Sequence, residues 1–299
     1  MKQILFIAIL ISLPFNASAA LNVFACEPEW AALADEIGGD LVKTSSATNA
    51  LQDPHYIQAR PSLISKIRKA DLLVCTGAQL ETGWLPLLLQ KGNNPSVLPG
   101  KAGFLEASMY VHRLGVTGNT DRAQGDVHPQ GNPHIQVNPA NILLVAEEMA
   151  KRMSLLDANN SLAFAQGLQS FSERWRAAMK SWESRAGVLK GKRVIVHHNS
   201  WLYLEDWLDL EQVATLEPVS GIPPTAGHLS SLLKQFGANQ GANFIIRAPF
   251  QSEKPSHWLS ERSDIPAVML PLTVGGSDQA TDLFKLFDDI LNRLISARP

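Results

Sequence analysis

What constrains this chain most is an alternation. Short runs of apolar, strand-forming residues are separated by segments with helical spacing, on both sides of one long amphipathic stretch. Before that stretch the strand-like runs are Leu21 to Cys26, Leu41 to Ser45 and Asp71 to Thr76, interleaved with helical patterns over Glu27 to Ile37, Pro61 to Lys69 and Glu81 to Gln90. After it, Arg193 to His197, Val213 to Leu216, Phe244 to Arg247 and Ala267 to Leu270 restart the plan with helices between them, and a last helix is predicted over Thr281 to Ile295. Strands that each lead into a helix specify parallel sheets covered by helices on both faces. The middle stretch is predicted as helix over Asn141 to Leu155 and again from about Asn160 to Leu189. Its second part carries Phe164, Leu168, Phe171, Trp175, Met179 and Trp182 at spacings of three or four. A helix of about 30 residues measures about 45 Å, more than one lobe needs. The expected fold class is therefore α/β, with two lobes, each a mostly parallel sheet flanked by helices, joined by a long rigid helix. The boundaries that follow are residues 20–155 for the amino-terminal lobe, 156–190 for the connecting helix and 191–299 for the carboxy-terminal lobe.

Residues 1–19 stand outside this pattern. Lys2 precedes a short apolar run from Ile4 to Phe15, and Ala17-Ser18-Ala19 supplies small residues for cleavage after about Ala19, so the segment reads as a signal peptide and the chain as exported. The run is too short, and ends too soon at Pro14, for a spanning helix. With 26 basic against 28 acidic residues and no Lys/Arg run, the footprint of a nucleic-acid or anionic-membrane binder is missing. Cys26 and Cys75 are too few for a disulfide scaffold and lack the spacing of a zinc knuckle. Val23 to Cys26 faintly resembles a lipid-attachment box, but Phe24 is bulky and Cys26 lies well past the apolar run. Both cysteines end strand-like runs, and adjacent strands lie about 4.8 Å apart, within disulfide reach. A Cys26–Cys75 disulfide is the expectation, with two buried thiols as the alternative.

No GxSxG, HExxH, GxxxxGK[ST] or strand-linked GxGxxG motif is present, which leaves histidine placement as the chemical signal. His112, His228 and His257 lie in polar, turn-rich or amphipathic helical segments, where surface roles are the default. The other five sit in three polar loops. Asp53-Pro54-His55 follows the second strand, where open α/β sheets place ligands, and Pro54 stiffens the backbone that presents His55. Asn132-Pro133-His134 repeats the polar-Pro-His arrangement, with His128 just upstream. His197-His198 follows the first strand of the second lobe, and strand alternation turns the two imidazoles to opposite faces; His198 is taken as the cleft-facing one. Asp282, at the start of the last helix, reads as a helix cap or a ligand, with Asp278 as its neighbour in the same loop.

These residues carry a resemblance covering nearly all of the chain after residue 19. Asp53-Pro54-His55 with Pro61-Ser62 and Lys69-Ala70-Asp71-Leu72, Gly77-Ala78-Gln79-Leu80-Glu81 with Trp84, Asn132-Pro133-His134, and His198 with Tyr203 resemble the ligand loops and flanking segments of the periplasmic solute-binding proteins of zinc and manganese ABC transporters, the TroA-like cluster. The resemblance implies a periplasmic, monomeric, non-enzymatic protein that delivers a divalent metal ion to an inner-membrane ABC permease. It implies His55, His134 and His198 as ligands with Asp282 as the fourth, and Asp278, His128 and His197 as alternatives. This chain has Asn132 where the family commonly has Asp, and Phe284 where a Tyr follows the last acidic ligand. The His- and Asp-rich loop of many zinc members is reduced to Gly125 to Gly131.

Three neutral imidazoles and one carboxylate suit Zn²⁺, whereas Mn²⁺ favours more oxygen, so Zn²⁺ is expected ahead of Mn²⁺. Because the ligands must be deprotonated, binding should weaken as pH falls through the ordinary histidine range near 6.5. Two readings from other classes compete. An exported zinc hydrolase would need an open coordination position and a general base such as Glu217 or Asp53. An adhesion protein would hold its metal as a closed structural site.

Overall fold

The computed structural model describes residues 20–118, 125–237 and 241–297. The expected signal segment, with its expected cleavage point, lies outside the described residues. The amino-terminal lobe is built on strands β1 (Leu21–Ala25), β2 (Val42–Ser46), β3 (Leu72–Cys75) and β4 (Phe104–Glu106), in the order β2-β1-β3-β4 with every pairing parallel. The carboxy-terminal lobe repeats this order with β5 (Arg193–Val196), β6 (Glu211–Thr215), β7 (Phe244–Arg247) and β8 (Ala267–Met269), arranged β6-β5-β7-β8, again all parallel. In each sheet the connections leave the two central strands in opposite directions. The crevice at their carboxyl ends is where such sheets bind ligands.

Helices α1 (Pro28–Gly38), α2 (Pro61–Lys69) and α3 (Leu85–Gly92) cover the first sheet. Each has a proline in its first turn, where the missing N–H has no intrahelical acceptor to lose. The helical pattern expected from Glu81 begins at Leu85, because residues 77–84 form a run of turns in which Ala78 and Gln79 adopt positive φ. Helix α4 (Pro139–Leu156) leads through a short 3₁₀ turn into α5 (Ser161–Ala186), the long helix between the lobes. The second sheet is covered by α6 (Leu202–Leu208), α7 (Ala226–Phe236), α8 (Glu253–Ser263) and α9 (Leu283–Ser296).

The stripe on α5 is the spine of the molecule. Phe171 stacks on Trp175 at 5.1 Å, Trp175 meets Trp182 and Phe287 edge-on at 5.1 and 5.4 Å, and Trp182 stacks on Phe287 at 5.1 Å. Trp175 is fully buried and its Nε1 donates to the Pro139 carbonyl at 2.8 Å. Phe284, partly buried, packs on Phe171 and Trp175 at the edge of this core. One apolar core runs from the β1 and β3 face of the first sheet, through α1, α4, α5 and α9, to the β5 and β7 face of the second. Smaller cores lie beneath α2 and α3 and beneath α7 and α8. A continuous core leaves little freedom for the lobes to swing apart.

One close approach within this spine depends on a glycine. A Cβ on Gly167 of α5 would lie 2.0 Å from the Ile37 carbonyl oxygen at the end of α1. Backbone cannot yield as a side-chain tip can, so Gly167→Ala forces α1 and α5 apart. The expected cost is about 1–3 kcal/mol, read as a Tm several degrees below wild type.

Candidate metal centre

The three histidine-bearing loops converge between the lobes. One ring nitrogen from each of His55, His134 and His198 lies within 4.8 Å of the other two. The ring centroids are 5.5 Å apart for His55 and His134, 5.6 Å for His55 and His198, and 5.9 Å for His134 and His198. The first lobe supplies two of these imidazoles and the second lobe one.

Each loop is held by contacts that follow from its sequence. Pro54 forces the chain into a turn whose carbonyl accepts the Trp84 indole N–H at 2.8 Å, and Asp53 Oδ1 accepts the His55 backbone N–H at 3.0 Å. Asn132 Oδ1 accepts the His134 N–H at 3.0 Å in the same way, while its Nδ2 donates across the cleft to the Asn199 carbonyl at 2.7 Å. The Asn132 amide thus supplies a donor, which a carboxylate would lack, that ties one lobe to the other. Tyr203, the aromatic residue after His198, makes a second tie by accepting the Leu114 N–H at 3.0 Å.

Two carboxylates aim the imidazoles. Asp53 Oδ1 lies 2.7 Å from His55 Nδ1, and Glu217 Oε2 lies 2.7 Å from His198 Nδ1 while accepting the Gly221 N–H at 2.8 Å. A carboxylate on Nδ1 places the proton there and leaves Nε2 as a free lone pair, the usual support behind a metal-binding histidine. Burial pushes the Asp53 carboxyl up, but its bond to His55 and the imidazole charge outweigh that and hold it below the ordinary range. His134 differs from both. It is 1% exposed and neither ring nitrogen has a partner. Burial, then the neighbouring imidazoles, drive it well below the ordinary histidine range, so it is a neutral imidazole with an orphaned lone pair in the cleft.

His128 lies beside His55, although, like Asp278 and His197, it is outside the group whose nitrogens all lie within 4.8 Å of one another. Its Nε2 lies 3.2 Å from His55 Nε2, and the rings are 5.3 Å apart. Zn–N bonds of 2.0–2.1 Å in a tetrahedron put ligand nitrogens about 3.3 Å apart, so this pair has the spacing of two ligands sharing one ion. Burial first, then His55 and His198, push His128 down to about 4. Its loop is pinned by Asp126, which accepts the Tyr56 hydroxyl at 2.8 Å and donates its N–H to the Ser220 carbonyl at 2.9 Å.

The remaining sequence candidates lie elsewhere. Asp282, expected as the fourth ligand, caps α9 instead: its Oδ1 accepts the Lys285 N–H at 2.8 Å, its other oxygen pairs with Lys285 Nζ at 3.1 Å, and its side chain is 39% exposed. Asp278 is exposed and does not join the imidazole group among the described residues. His197 is buried with Nδ1 unpartnered, and burial lowers its pKa, but it too stands outside the group. The sequence reading named Glu217 and Asp53 only as general bases. Asp53 could have been read as an orienter from its place two residues before His55, whereas nothing local links Glu217 to His198.

Residues 23–297 match the ZnuA family, described as zinc-uptake complex component A, periplasmic. Among curated relatives, the chain is 25% identical over 184 residues to the metal ABC transporter substrate-binding lipoprotein ScbA of Streptococcus cristatus, which covers 60% of this chain and 56% of that protein. It is 26% identical over 185 residues to the manganese ABC transporter substrate-binding lipoprotein scaA of Streptococcus gordonii, with the same coverage. With SsaB of Streptococcus sanguinis it shares 21% over 270 residues, covering 89% and 84%. The chain therefore spans a little over half the length of the first two. The fold is similar to a crystal structure of ZnuA, with a TM-score of 0.74, 21% identity and coverage of 92% of this chain and 99% of that one. It is also similar to a manganese-bound periplasmic metal-binding protein from Candidatus Liberibacter asiaticus, with a TM-score of 0.73, 17% identity and coverage of 92% and 98%.

Proposed function

Because this chain belongs to the ZnuA family, we propose that it captures a divalent metal ion between its lobes, Zn²⁺ in preference to Mn²⁺, and delivers it in the periplasm to an inner-membrane ABC permease. The observation that carries this reading is His134, a fully buried imidazole with two unpartnered nitrogens, facing two further imidazoles whose Nδ1 atoms are already engaged by carboxylates. Burying such a group without a partner is unfavourable unless something electrophilic arrives. His55, His134 and His198 are the proposed ligands, with His128 as the fourth in place of Asp282. Four imidazoles form a nitrogen-rich tetrahedral set, which favours zinc over the oxygen-seeking manganese ion.

The spine of α5 restrains the lobes, so capture and release are proposed to proceed through the loops, above all the His128 segment, instead of a wide hinge motion. The hydrolase reading loses its general bases, since Asp53 and Glu217 are both committed to histidine Nδ1 atoms. Metal analysis and calorimetry of the purified chain with zinc and with manganese test the proposal. Tight zinc binding at one ion per chain is expected, and tighter manganese binding would reverse the metal assignment. Glu217→Gln should weaken zinc binding roughly tenfold to hundredfold by releasing the His198 ring, with unfolding of the metal-free chain nearly unchanged. Unaltered affinity would remove Glu217 from the site's support.

A further inference from the structure

A second set of metal-ligating side chains lies at the carboxyl ends of β1 and β3, sharing no residue with the imidazole cluster. Cys26 follows β1 directly, Cys75 ends β3, the strands pair in parallel, and the two Cα atoms of the disulfide are 4.8 Å apart. A carboxylate oxygen of Glu81 lies within 4.8 Å of both sulfurs, and all three side chains are buried. Beside them, Glu27 is 4% exposed. Its Oε2 accepts from the Thr76 N–H and hydroxyl at 3.3 and 2.9 Å, and its Oε1 has no partner. Among the described residues no Lys, Arg or His forms an ion pair with either carboxyl.

We propose that, when the Cys26–Cys75 disulfide is reduced, the two thiolates and the Glu81 carboxylate form a second site, beside the buried Glu27, that takes Zn²⁺ as a structural ion. A dithiol reductant supplies two electrons and two protons. The S–S bond breaks, two thiols form, and the reductant leaves as its own disulfide. Zinc then displaces one proton from each thiol and any proton held by the carboxyls, forming two Zn–S bonds and bonds to oxygen.

The dimensions allow this without moving the strands. Zn–S bonds of about 2.3 Å place two thiolates of a tetrahedral site about 3.8 Å apart, a separation that side chains on adjacent strands reach easily. The charge argument points the same way. Beside a neutral disulfide the two carboxyls have no counter-charge, and burial pushes Glu81 up to about 7 and Glu27 well above the ordinary range. A dication with two thiolates would neutralise them instead of protons. Because its side chains are buried, the site would fill as a reduced chain folds, and metal and disulfide would exclude one another.

The test uses the chain without its signal segment, refolded anaerobically with both cysteines reduced, and Co²⁺ as the probe. Two cobalt ions per chain are expected when reduced and one when oxidised, with a thiolate-to-cobalt charge-transfer absorption only in the reduced form. His134→Ala should keep that absorption and lose the other ion, which separates failure here from failure of the imidazole reading. The Cys26→Ser, Cys75→Ser double variant should lose the absorption and keep the imidazole-bound ion. Glu81→Gln should weaken the sulfur-bound ion roughly tenfold to hundredfold, since losing a ligand costs no less than losing a ligand's support. A reduced chain with native far-UV circular dichroism that takes up one cobalt and shows no absorption overturns the proposal. Where the reduced chain does not regain that spectrum, closure of the disulfide by oxidised glutathione is followed instead. Zinc should slow closure in wild type and in His134→Ala but not in Glu81→Gln, and equal rates with and without zinc overturn it.

Discussion

His134→Ala is expected to lower zinc affinity by two to three orders of magnitude while leaving the metal-free chain about as stable as wild type. Binding free energies of about 10–16 kcal/mol spread over four ligands give about 2.5–4 kcal/mol for each, or roughly a hundredfold to a thousandfold in affinity. The second half of the expectation follows from the missing hydrogen bonds. A buried polar atom without a partner costs about 1–3 kcal/mol, and His134 keeps two such nitrogens in the metal-free state. Truncation removes that penalty and leaves a cavity whose lost contacts offset the gain. Calorimetric titration with zinc and chemical unfolding in the presence of a chelator measure the two quantities separately. A structural histidine would show the opposite pattern, with stability lost and affinity kept. Asp282→Ala supplies the control: it should lose about 1 kcal/mol with its helix cap and keep its zinc affinity. A large fall in affinity for Asp282→Ala would return it to the ligand set.

The contrast between these two residues shows where the sequence was readable. The central strands were legible because both their faces are covered, which turns Leu72 to Cys75 and Phe244 to Ile246 into unbroken apolar runs. The edge strand Phe104–Glu106 was not, being three residues long and ending in a charge. The three central imidazoles were legible because proline-stiffened loops and a strand end are where such sheets present ligands. Asp282 was ambiguous because an aspartate at a helix start satisfies a cap and a metal equally well on paper; in the structure its oxygens engage Lys285. His128 was visible as a residue, but its role depended on a distance to a loop far away in sequence. The burial of three glutamates, Glu27, Glu29 and Glu81, went unread for a related reason. Glu27 and Glu29 sit where acids ordinarily complement a helix dipole, and their burial beside Glu81 follows from the pairing of β1 with β3, which no local pattern records.

Those glutamates make the stability of this fold depend on pH in a direction opposite to the usual carboxylate. Glu81→Gln is expected to gain on wild type as pH rises from 5 to 8, by about 2 kcal/mol. Burial raises Glu81 from 4.5 to about 7, and it raises Glu29 to about 7 as well. Glu27 is pushed well above its ordinary value, by burial first and then by the charges of Glu81 and Glu29. In the unfolded chain each loses its proton near 4.5. The folded state therefore holds more protons between about pH 4.5 and 7, and the stability fully present below that window declines across it and levels off above the folded value. Glutamine keeps an acceptor for the Gly77 N–H that Glu81 now receives at 3.1 Å, but has no proton to lose, so its curve lacks this decline. The wild-type profile alone would not isolate the effect. His128, His134 and His197 have depressed folded values, and the stability they contribute is lost as pH falls below about 6.5, which masks the glutamates on the acid side. The difference between variant and wild type cancels the histidines to first order. Urea unfolding of the oxidised, metal-free proteins at pH 5, 6.5 and 8 gives that difference directly, and parallel profiles would show that Glu81 is not holding its proton into the neutral range.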